Sequence, residues 1–397
     1  MKSLLMKKIT AFTAGSFRRL TILLTSLLAT LLLYQPATAQ PLSESSNPVT
    51  AAALKLVAFN NDSRSALDVQ SVKTLVDYVL GSKSGKEVTL PQIQNTTGAY
   101  YEYDTKIGFP DFLQYSFSGQ IPLVITSPAS LRYSQWSSLQ GKSRKLPGRW
   151  KPLAPDGKPV IIRGTQRDGI TPDQTTGVYY EYDLKRTLIL LHFNEQQVLV
   201  SISKQMNISD VGKKGFILGN DDDWNYYYSG ETGSAQAGLG WVKSYIYDYF
   251  SVAVYTESSS SPATVRAGIF QWIRAGWSGI NFVQTEHIIK GMKRHSKNLK
   301  SILESPNLPP PEQIAATYQW LSSLPQNELV AKYTALQQAR LVLAVTSGKI
   351  KSPETKKPNA LAHPPKEQII DALMLEYLKI ALGKPSLINK QIVLGMN

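Results

Sequence analysis

The sequence contains one nine-residue phrase twice, and this duplication constrains the fold more than any other feature. Residues 96–104 read TTGAYYEYD and residues 175–183 read TTGVYYEYD, so only Ala99 and Val178 differ. In both copies aromatic and polar side chains alternate after a Thr-Thr-Gly turn signal. Alternation with a period of two and enrichment in aromatic residues are typical of a half-buried β-strand. Each copy therefore predicts one strand.

A similar pattern continues after each phrase, although the residues themselves differ. Two apolar segments follow each copy, at residues 113–118 and 121–127 after the first and at residues 187–193 and 198–204 after the second. Turn-forming residues separate the segments of each pair. We therefore predict two related three-stranded β-meanders, at about residues 86–134 and 159–213.

Residues 241–256 form the most aromatic predicted strand. Tyrosines at every second position alternate there with apolar side chains, which predicts a strand with one apolar face and one tyrosine face. A row of tyrosine rings could support a sugar ring or an acyl chain. The alternative is that helices cover this face, because aromatic side chains are mostly packed.

The pattern changes after four serines at residues 258–261. From Pro262 onward we predict only helices, because proline is favoured at the first helical position. The first, at residues 263–283, is apolar and carries Trp272 and Trp277. It is predicted to be a central core helix, or alternatively a helix that inserts into a bilayer surface. Further predicted helices lie at residues 66–80, 286–304, 309–323, 326–347 and 366–382.

These patterns together predict an α+β fold. An antiparallel β-region, made of two duplicated three-stranded meanders plus an aromatic hairpin, is followed by a C-terminal helical region packed on it. The predicted segments are a signal peptide at residues 1–39, a β-rich region at residues 40–257 and a helical region at residues 258–397.

The N-terminus has the features of an export signal. Five basic residues and no acidic ones precede or flank the apolar stretch 21–33, and Ala37-Thr38-Ala39 resembles a cleavage site. The chain contains no cysteine, which excludes a disulfide framework and a thiolate site. We therefore expect an exported protein of the cell envelope, in the periplasm or outside the cell, with no membrane span after Gln40.

Positive charge is concentrated in the last third of the chain. Residues 264–397 carry 17 basic and 8 acidic side chains, whereas residues 40–263 carry 21 of each. This asymmetry favours an anionic membrane surface or an acidic polysaccharide as a partner. A lysine-rich solvated helical surface explains the same counts. We expect no nucleic-acid partner.

Acidic residues are the first candidates for chemistry. Glu102 with Asp104 and Glu181 with Asp183 each lie two positions apart on a predicted strand, and therefore on one face. Such carboxylates, or those of residues 221–223, could act as acid and base in a hydrolase. The simpler interpretation is a solvated strand face. Histidine spacing indicates no metal site, and no cofactor motif is found.

The sequence thus leaves two hypotheses open. The first is a non-catalytic binding or structural protein with aromatic strands and a basic helical surface. Its candidate binding residues are Tyr226, Tyr228, Trp241, Tyr245, Tyr247, Trp272, Arg274 and Trp277. The second is an envelope hydrolase that uses carboxylates on a carbohydrate or a phosphoester. Neither hypothesis requires a metal or a cofactor.

Overall fold

The structure is a computed structural model that describes residues 47–140, 146–154, 156–193, 196–236, 240–351 and 364–394. The predicted signal peptide lies outside the described residues. Within them, the dominant element is an eight-stranded antiparallel sheet with strand order β1-β2-β13-β12-β7-β6-β4-β3. Its strands are β1 (Glu87–Ile93), β2 (Thr96–Thr105), β3 (Leu131–Gln140), β4 (Val160–Ile170), β6 (Glu181–Phe193), β7 (Gln196–Gln205), β12 (Tyr245–Ser260) and β13 (Ala263–Gly276).

Two smaller sheets and a set of helices complete the described chain. The small sheets contain β5 (Val178–Tyr179), β8 (Lys213–Ile217) and β9 (Tyr226–Thr232), and β10 (Ser234–Gln236) and β11 (Gly240–Val242). The helices are α1 (Pro48–Asn61), α2 (Val69–Leu80), α3 (Phe109–Phe117), α4 (Thr285–Leu303), α5 (Pro311–Ser323), α6 (Gln326–Thr346), α7 (Lys366–Ala381) and α8 (Lys390–Leu394).

The main sheet is covered on both faces, so its central strands are buried on both sides. In β12, Phe250, Val252 and Val254 belong to one hydrophobic core, whereas Ala253 and Tyr255 pack into or against the other. Successive side chains of a strand point to opposite faces, so each strand contributes to both cores. The two cores therefore lie on opposite sides of one sheet.

Helices α1 and α2 cover the first face. Both begin at a side-chain cap, since Asn47 and Asp68 accept hydrogen bonds from the first backbone amides. Thr187 of β6 donates to the side-chain oxygen of Asn60 at 2.6 Å, and Arg163 of β4 donates to the carbonyl oxygen of Phe59 at 2.6 Å. These two bonds attach the end of α1 to the sheet.

The second face is covered by α3, α4 and the C-terminal helices. Helix α4 turns Ile288, Met292 and Leu299 inward and its lysines outward. In α7 the fully buried Lys379 donates to both carboxylate oxygens of Glu376, at 2.8 and 2.9 Å. Lys379 also donates to the side-chain oxygen of Asn225, at 2.6 Å. A buried charge needs such partners, and here they connect α7 to the loop before β9.

The predicted α+β fold is confirmed: an antiparallel β-region precedes most of the helices. The first copy of the repeat, however, does not form a meander. Residues 113–117 lie in α3, Ser118 follows as its C-cap, and residues 121–127 contain a 3-10 turn at Leu123–Ile125. Gly108 and Pro110 provide a helix start there, and proline pre-organises the first turn. In the second copy residues 175–177 form a turn, Val178–Tyr179 form β5 of a small sheet, and Glu181–Phe193 form the single strand β6, which pairs with β7 in the main sheet. This copy therefore does not form the predicted three-stranded meander either.

The prediction of a helix at residues 263–283 is wrong. Residues 263–276 form β13, which pairs with β12 through a tight turn at the predicted serine linker and with β2 on its other side. A strand buried on both faces is apolar throughout, and periodicity alone does not separate it from a buried helix. The helical part of the chain begins instead at Thr285. The other predicted helices match α2, α4, α5, α6 and α7 to within a few residues.

The packing of the core between the sheet and helices α1 and α2 can be tested by substitution. Phe250 is fully buried and stacks on Trp272, with ring centres 5.1 Å apart. We expect Phe250→Ala to lower the free energy of unfolding by about 3–5 kcal/mol, because it leaves a cavity in a packed core. Val69→Ala, at a side chain that is 54% exposed, is the control and should change it by less than about 0.5 kcal/mol. Urea unfolding of both variants measures the difference. Similar values for the two would contradict the described core.

Candidate functional site

A row of small and polar side chains crosses the centre of the main sheet on the face towards α4. The strand register places Arg186 opposite Ser203, Ser203 opposite Ser251, and Ser251 opposite Gln271. Ser201 lies beside this row on the same face. Serine side chains are too short to reach a covering helix, so the interior is not filled at this point.

The unfilled space is a cavity of about 370 Å³ between the sheet and its cover. The cover contributes mainly apolar side chains, among them Phe112 and Phe117 of α3, Leu123, and Met292 of α4. The rings of α3 pack on Tyr255 of the sheet, at centroid distances of 5.0 and 5.5 Å. An apolar enclosure with a few convergent polar groups is the usual composition of a small-molecule site.

Arg186 and Asp168 are charged groups of the cavity floor, and Gln166 beside them connects the two by hydrogen bonds. The amide oxygen of Gln166 accepts a hydrogen bond from Arg186 Nη1 at 2.9 Å, and its amide nitrogen donates to Asp168 Oδ1 at 3.0 Å. Ser134 donates to the same carboxylate oxygen at 2.7 Å. Burial raises the pKa of Asp168 although the charge of Arg186 and these hydrogen bonds oppose the shift. The floor thus combines a guanidinium with a carboxyl group that is harder to ionise than an exposed one.

His295 of α4 is a titratable group in the cover. Its Nδ1 lies 3.4 Å from Ser130 Oγ, and its ring stands edge-on to Tyr103 at 6.5 Å. Burial lowers the pKa of His295 to about 4, so the imidazole is neutral at pH 7. In the described chain no carboxylate hydrogen-bonds to His295. The pair of Ser130 and His295 therefore lacks the third group that orients the base in serine hydrolases.

A second cavity of about 220 Å³ adjoins the first. Ser116, Phe117, Leu123 and Arg186 line both, so Arg186 stands between the two spaces. On the far side lies Asp371 of α7, which is 5% exposed and whose Oδ2 has no hydrogen-bond partner. Burial raises the pKa of Asp371 to about 8, although the backbone N–H of Ser134 donates to it. The neutral acid therefore predominates at pH 7.

The residues predicted from the aromatic pattern do not line the main cavity. Tyr226 is buried and donates to Asp221 Oδ1 at 3.0 Å, and Tyr228 lies under the guanidinium of Arg132 at 4.3 Å. Both thus pack in the interior near the C-terminal helices. Trp272 is fully buried on the opposite face of the sheet, in the core with α1 and α2.

Another part of the predicted set meets at the open end of the β12–β13 hairpin. The Arg274 guanidinium lies 5.1 Å from the Tyr247 ring, and Tyr245 lies 6.1 Å from the same ring. Trp277 stacks on Phe282 at 3.8 Å, and Phe282 is 42% exposed. These residues form a partly exposed aromatic surface outside the cavity. Trp241 lies in β11, and its side chain is outside the described part of the structure.

The carboxylates of the repeated phrase lie far apart. Glu102 on β2 and Glu181 on β6 are separated by three strands, which corresponds to roughly 19 Å at the usual strand spacing. Glu102 is fully buried, and Asp104 accepts two hydrogen bonds from an arginine of β13. Arg167 approaches Glu181 at 3.6 Å and Asp183 at 3.1 Å. The two copies therefore do not form a pair of acid and base across a cleft.

The acidic residues 221–223 neutralise part of the basic helix α4. Arg294 Nε donates to Asp221 Oδ2 at 2.7 Å, and Lys297 Nζ lies 2.5 Å from Asp222 Oδ2. Burial opposes the ionisation of Asp221, but its bonds with Arg294 lower its pKa overall. Ion pairs within the molecule thus neutralise some of the positive charge in the last third of the chain.

Sequence reasoning missed the residues that form the cavity. Ser201 and Ser203 alternate with buried Val200 and Ile202, which is visible in the sequence as an apolar-small alternation. That pattern is a signal for a strand whose second face is covered but not filled. No pattern in the sequence marks Arg186 as a cavity residue, because its position opposite Ser203 depends on the strand register.

Asp371 provides a test of these electrostatics. Between its ordinary pKa of 3.8 and the folded value of about 8, the unfolded chain loses a proton that the folded chain keeps, so folding becomes less favourable as pH rises. We expect Asp371→Asn to stabilise the protein more at pH 8 than at pH 5, with a difference in unfolding free energy of at least about 1 kcal/mol. This lower limit is smaller than the free energy that corresponds to one pKa unit. Thermal unfolding of wild type, Asp371→Asn and the exposed control Asp156→Asn measures this. An equal effect at both pH values would contradict the shift.

In the described part of the chain no group of three or more His, Asp or Glu side chains is arranged to hold a metal ion. None of the helices there is both long enough and apolar enough to cross a membrane. The candidate site therefore rests on the cavity and its polar floor. Comparison with protein families, curated proteins and solved structures found no match to this chain.

Proposed function

We propose that the protein is an exported, non-catalytic binding protein of the cell envelope. Its ligand is a small amphipathic molecule held between the main sheet and α4. The observation that carries this proposal is the row from Arg186 to Gln271, which leaves a cavity of about 370 Å³ inside an otherwise packed fold.

The composition of the cavity supports a ligand with both apolar and polar parts. Phe112, Phe117 and Met292 offer apolar surface from the cover, whereas Ser203, Ser251 and Arg186 offer hydrogen-bonding groups from the floor. An empty cavity destabilises a protein in proportion to its volume. A ligand whose polar group bonds to the floor and whose apolar part fills the rest of the space would therefore be favoured.

The hydrolase alternative has less support from the geometry. The carboxylates of the two repeat copies are separated by several strands, and Asp104, Glu181 and Asp183 are ion-paired. Ser130 and His295 are the nearest approach to a nucleophile and base in the cavity wall, and their atoms are 3.4 Å apart. A binding role needs none of these groups to react.

The basic last third of the chain remains a separate basis for binding an anionic membrane surface or an acidic polysaccharide. Its lysines on α4 face outward, beside Tyr101 and Tyr103 of β2. The ion pairs of Arg294 and Lys297 reduce the free charge of this surface. We therefore rank surface binding below binding in the cavity.

A cavity-filling substitution tests the proposal. Leucine at position 251 would extend from the floor into the space that a ligand needs, because Ser251 is 7% exposed and lines the cavity. We expect wild type to bind the uncharged dye N-phenyl-1-naphthylamine with enhanced fluorescence, and Ser251→Leu to weaken that binding at least tenfold. Ser260→Leu, at an exposed position of the same strand, is the matched control and should bind as wild type does.

Thermal unfolding of Ser251→Leu shows whether the fold is retained, and filling an existing space should not lower its midpoint by more than a few degrees. Equal dye binding by wild type and Ser251→Leu would place the dye elsewhere. No binding of the dye by wild type would reject a site for apolar molecules.

A further inference from the structure

Arg186 is the charged group that distinguishes this cavity from a purely apolar one. It lies near the middle of β6 and lines both cavities. Its Nη1 donates to the Gln166 amide oxygen at 2.9 Å, and Nε and Nη2 both approach the single Ser201 hydroxyl, at 3.4 and 3.3 Å. A guanidinium has five N–H donors, so these neutral acceptors leave hydrogen-bonding capacity unused.

Several other arginines of the described chain have acidic partners. Arg294 pairs with Asp221, Arg266 pairs with Asp104, and Arg167 lies within ion-pair distance of three carboxylates. In the described residues no carboxylate forms an ion pair with Arg186. The charges of Arg186 and Asp168 interact, but Gln166 connects the two groups and they form no direct ion pair. The guanidinium therefore keeps N–H donors that no carboxylate accepts.

Burial disfavours the charged form of two carboxyl groups that line the cavities, because it raises the pKa of Asp168 and Asp371, the latter to about 8. Asp173 and Glu367 also line the cavities, and neither forms an ion pair with Arg186. His295 is neutral at pH 7, and Arg294 is already paired with Asp221. Among the cationic side chains that line the two cavities in the described residues, Arg186 is therefore the one without a direct carboxylate partner.

We infer that Arg186 binds the carboxylate of an amphipathic acid whose apolar chain or ring occupies the cavity beneath α3 and α4. This inference rests on the proposed binding function and adds the chemical class of the ligand. The planar fork of a guanidinium matches a carboxylate, which accepts two parallel hydrogen bonds. A phosphate monoester shares the anionic chemistry, but it would bring nearly two charges to a site with one unpaired cation.

The experiment compares ligands that differ only in the head group. Decanoate, decanol and decyl phosphate, each below its aggregation concentration, are titrated into the full protein at pH 7.5 by calorimetry. We expect decanoate to bind at least tenfold more tightly than decanol. In Arg186→Gln the preference for decanoate should disappear, while decanol should bind as it does to wild type.

Two further variants make the result specific. Lys185→Gln removes the same charge from the neighbouring residue of β6, whose ammonium donates to the carbonyl of Asn61, and it should keep the preference for decanoate. Arg186→Lys keeps the charge without the fork and should keep only part of the preference. Thermal unfolding shows whether Arg186→Gln folds. If it does not, a partial loss of the preference for decanoate in Arg186→Lys tests the role of the guanidinium.

The outcomes separate the two proposals. Equal affinity of wild type for decanoate and decanol would overturn the role of Arg186 and leave the binding function standing. Tighter binding of decyl phosphate than of decanoate would overturn the carboxylate assignment. If none of the three ligands and no uncharged dye bound, the proposed function itself would fail.

Discussion

Burial of the main sheet on both faces is the constraint on which the rest of the structure depends. Helices α1 and α2 occupy one side, and α3, α4 and the C-terminal helices occupy the other. Each central strand must then present apolar side chains in both directions, and each charged group on it needs a partner inside the molecule. Arg266 of β13 meets this requirement with Asp104 of β2. The direct hydrogen-bond partners of Arg186 are all neutral, and the ligand assignment depends on this residue.

The same constraint explains how much of the fold could be predicted from the sequence. Helices α2 and α4 each keep one exposed face, so their helical periodicity is visible, and their predicted ends lie within three residues of the observed ones. Strand β13 has no exposed face, so its apolar run resembled a buried helix. For the site, the sequence indicated an aromatic strand whose tyrosine face could support a ligand. It did not indicate Arg186 or Ser251, because these residues meet only through the register of strands distant in sequence.

The repeated phrase shows how tertiary context overrides local sequence. In the first copy Gly98 continues a strand, and a Cβ there would lie 2.5 Å from Nε1 of Trp272, so glycine permits the close approach of the indole. In the second copy Gly177 has a φ of +68° and belongs to a turn, so glycine serves there for its left-handed backbone. Nearly identical residues thus form a buried central strand at one place and a turn followed by a strand at the other. A duplication of sequence is therefore no evidence for a duplication of structure in this chain.

The pairing of β2 with β13 has a consequence for the order of folding. Gly98 faces Trp272 across this ladder, and Thr105 faces Val265. Strands β1 and β2 can form their hairpin early, but their place in the sheet does not exist until β13 has been synthesised. The core behind α1 and α2 includes Trp272 and Phe270, so that layer also waits for the same late segment. Contacts between such distant residues slow folding, because a long loop must close before they are made. Strand β2, in the N-terminal third of the folded region, therefore lacks its partner strand for most of the time that synthesis of the chain takes.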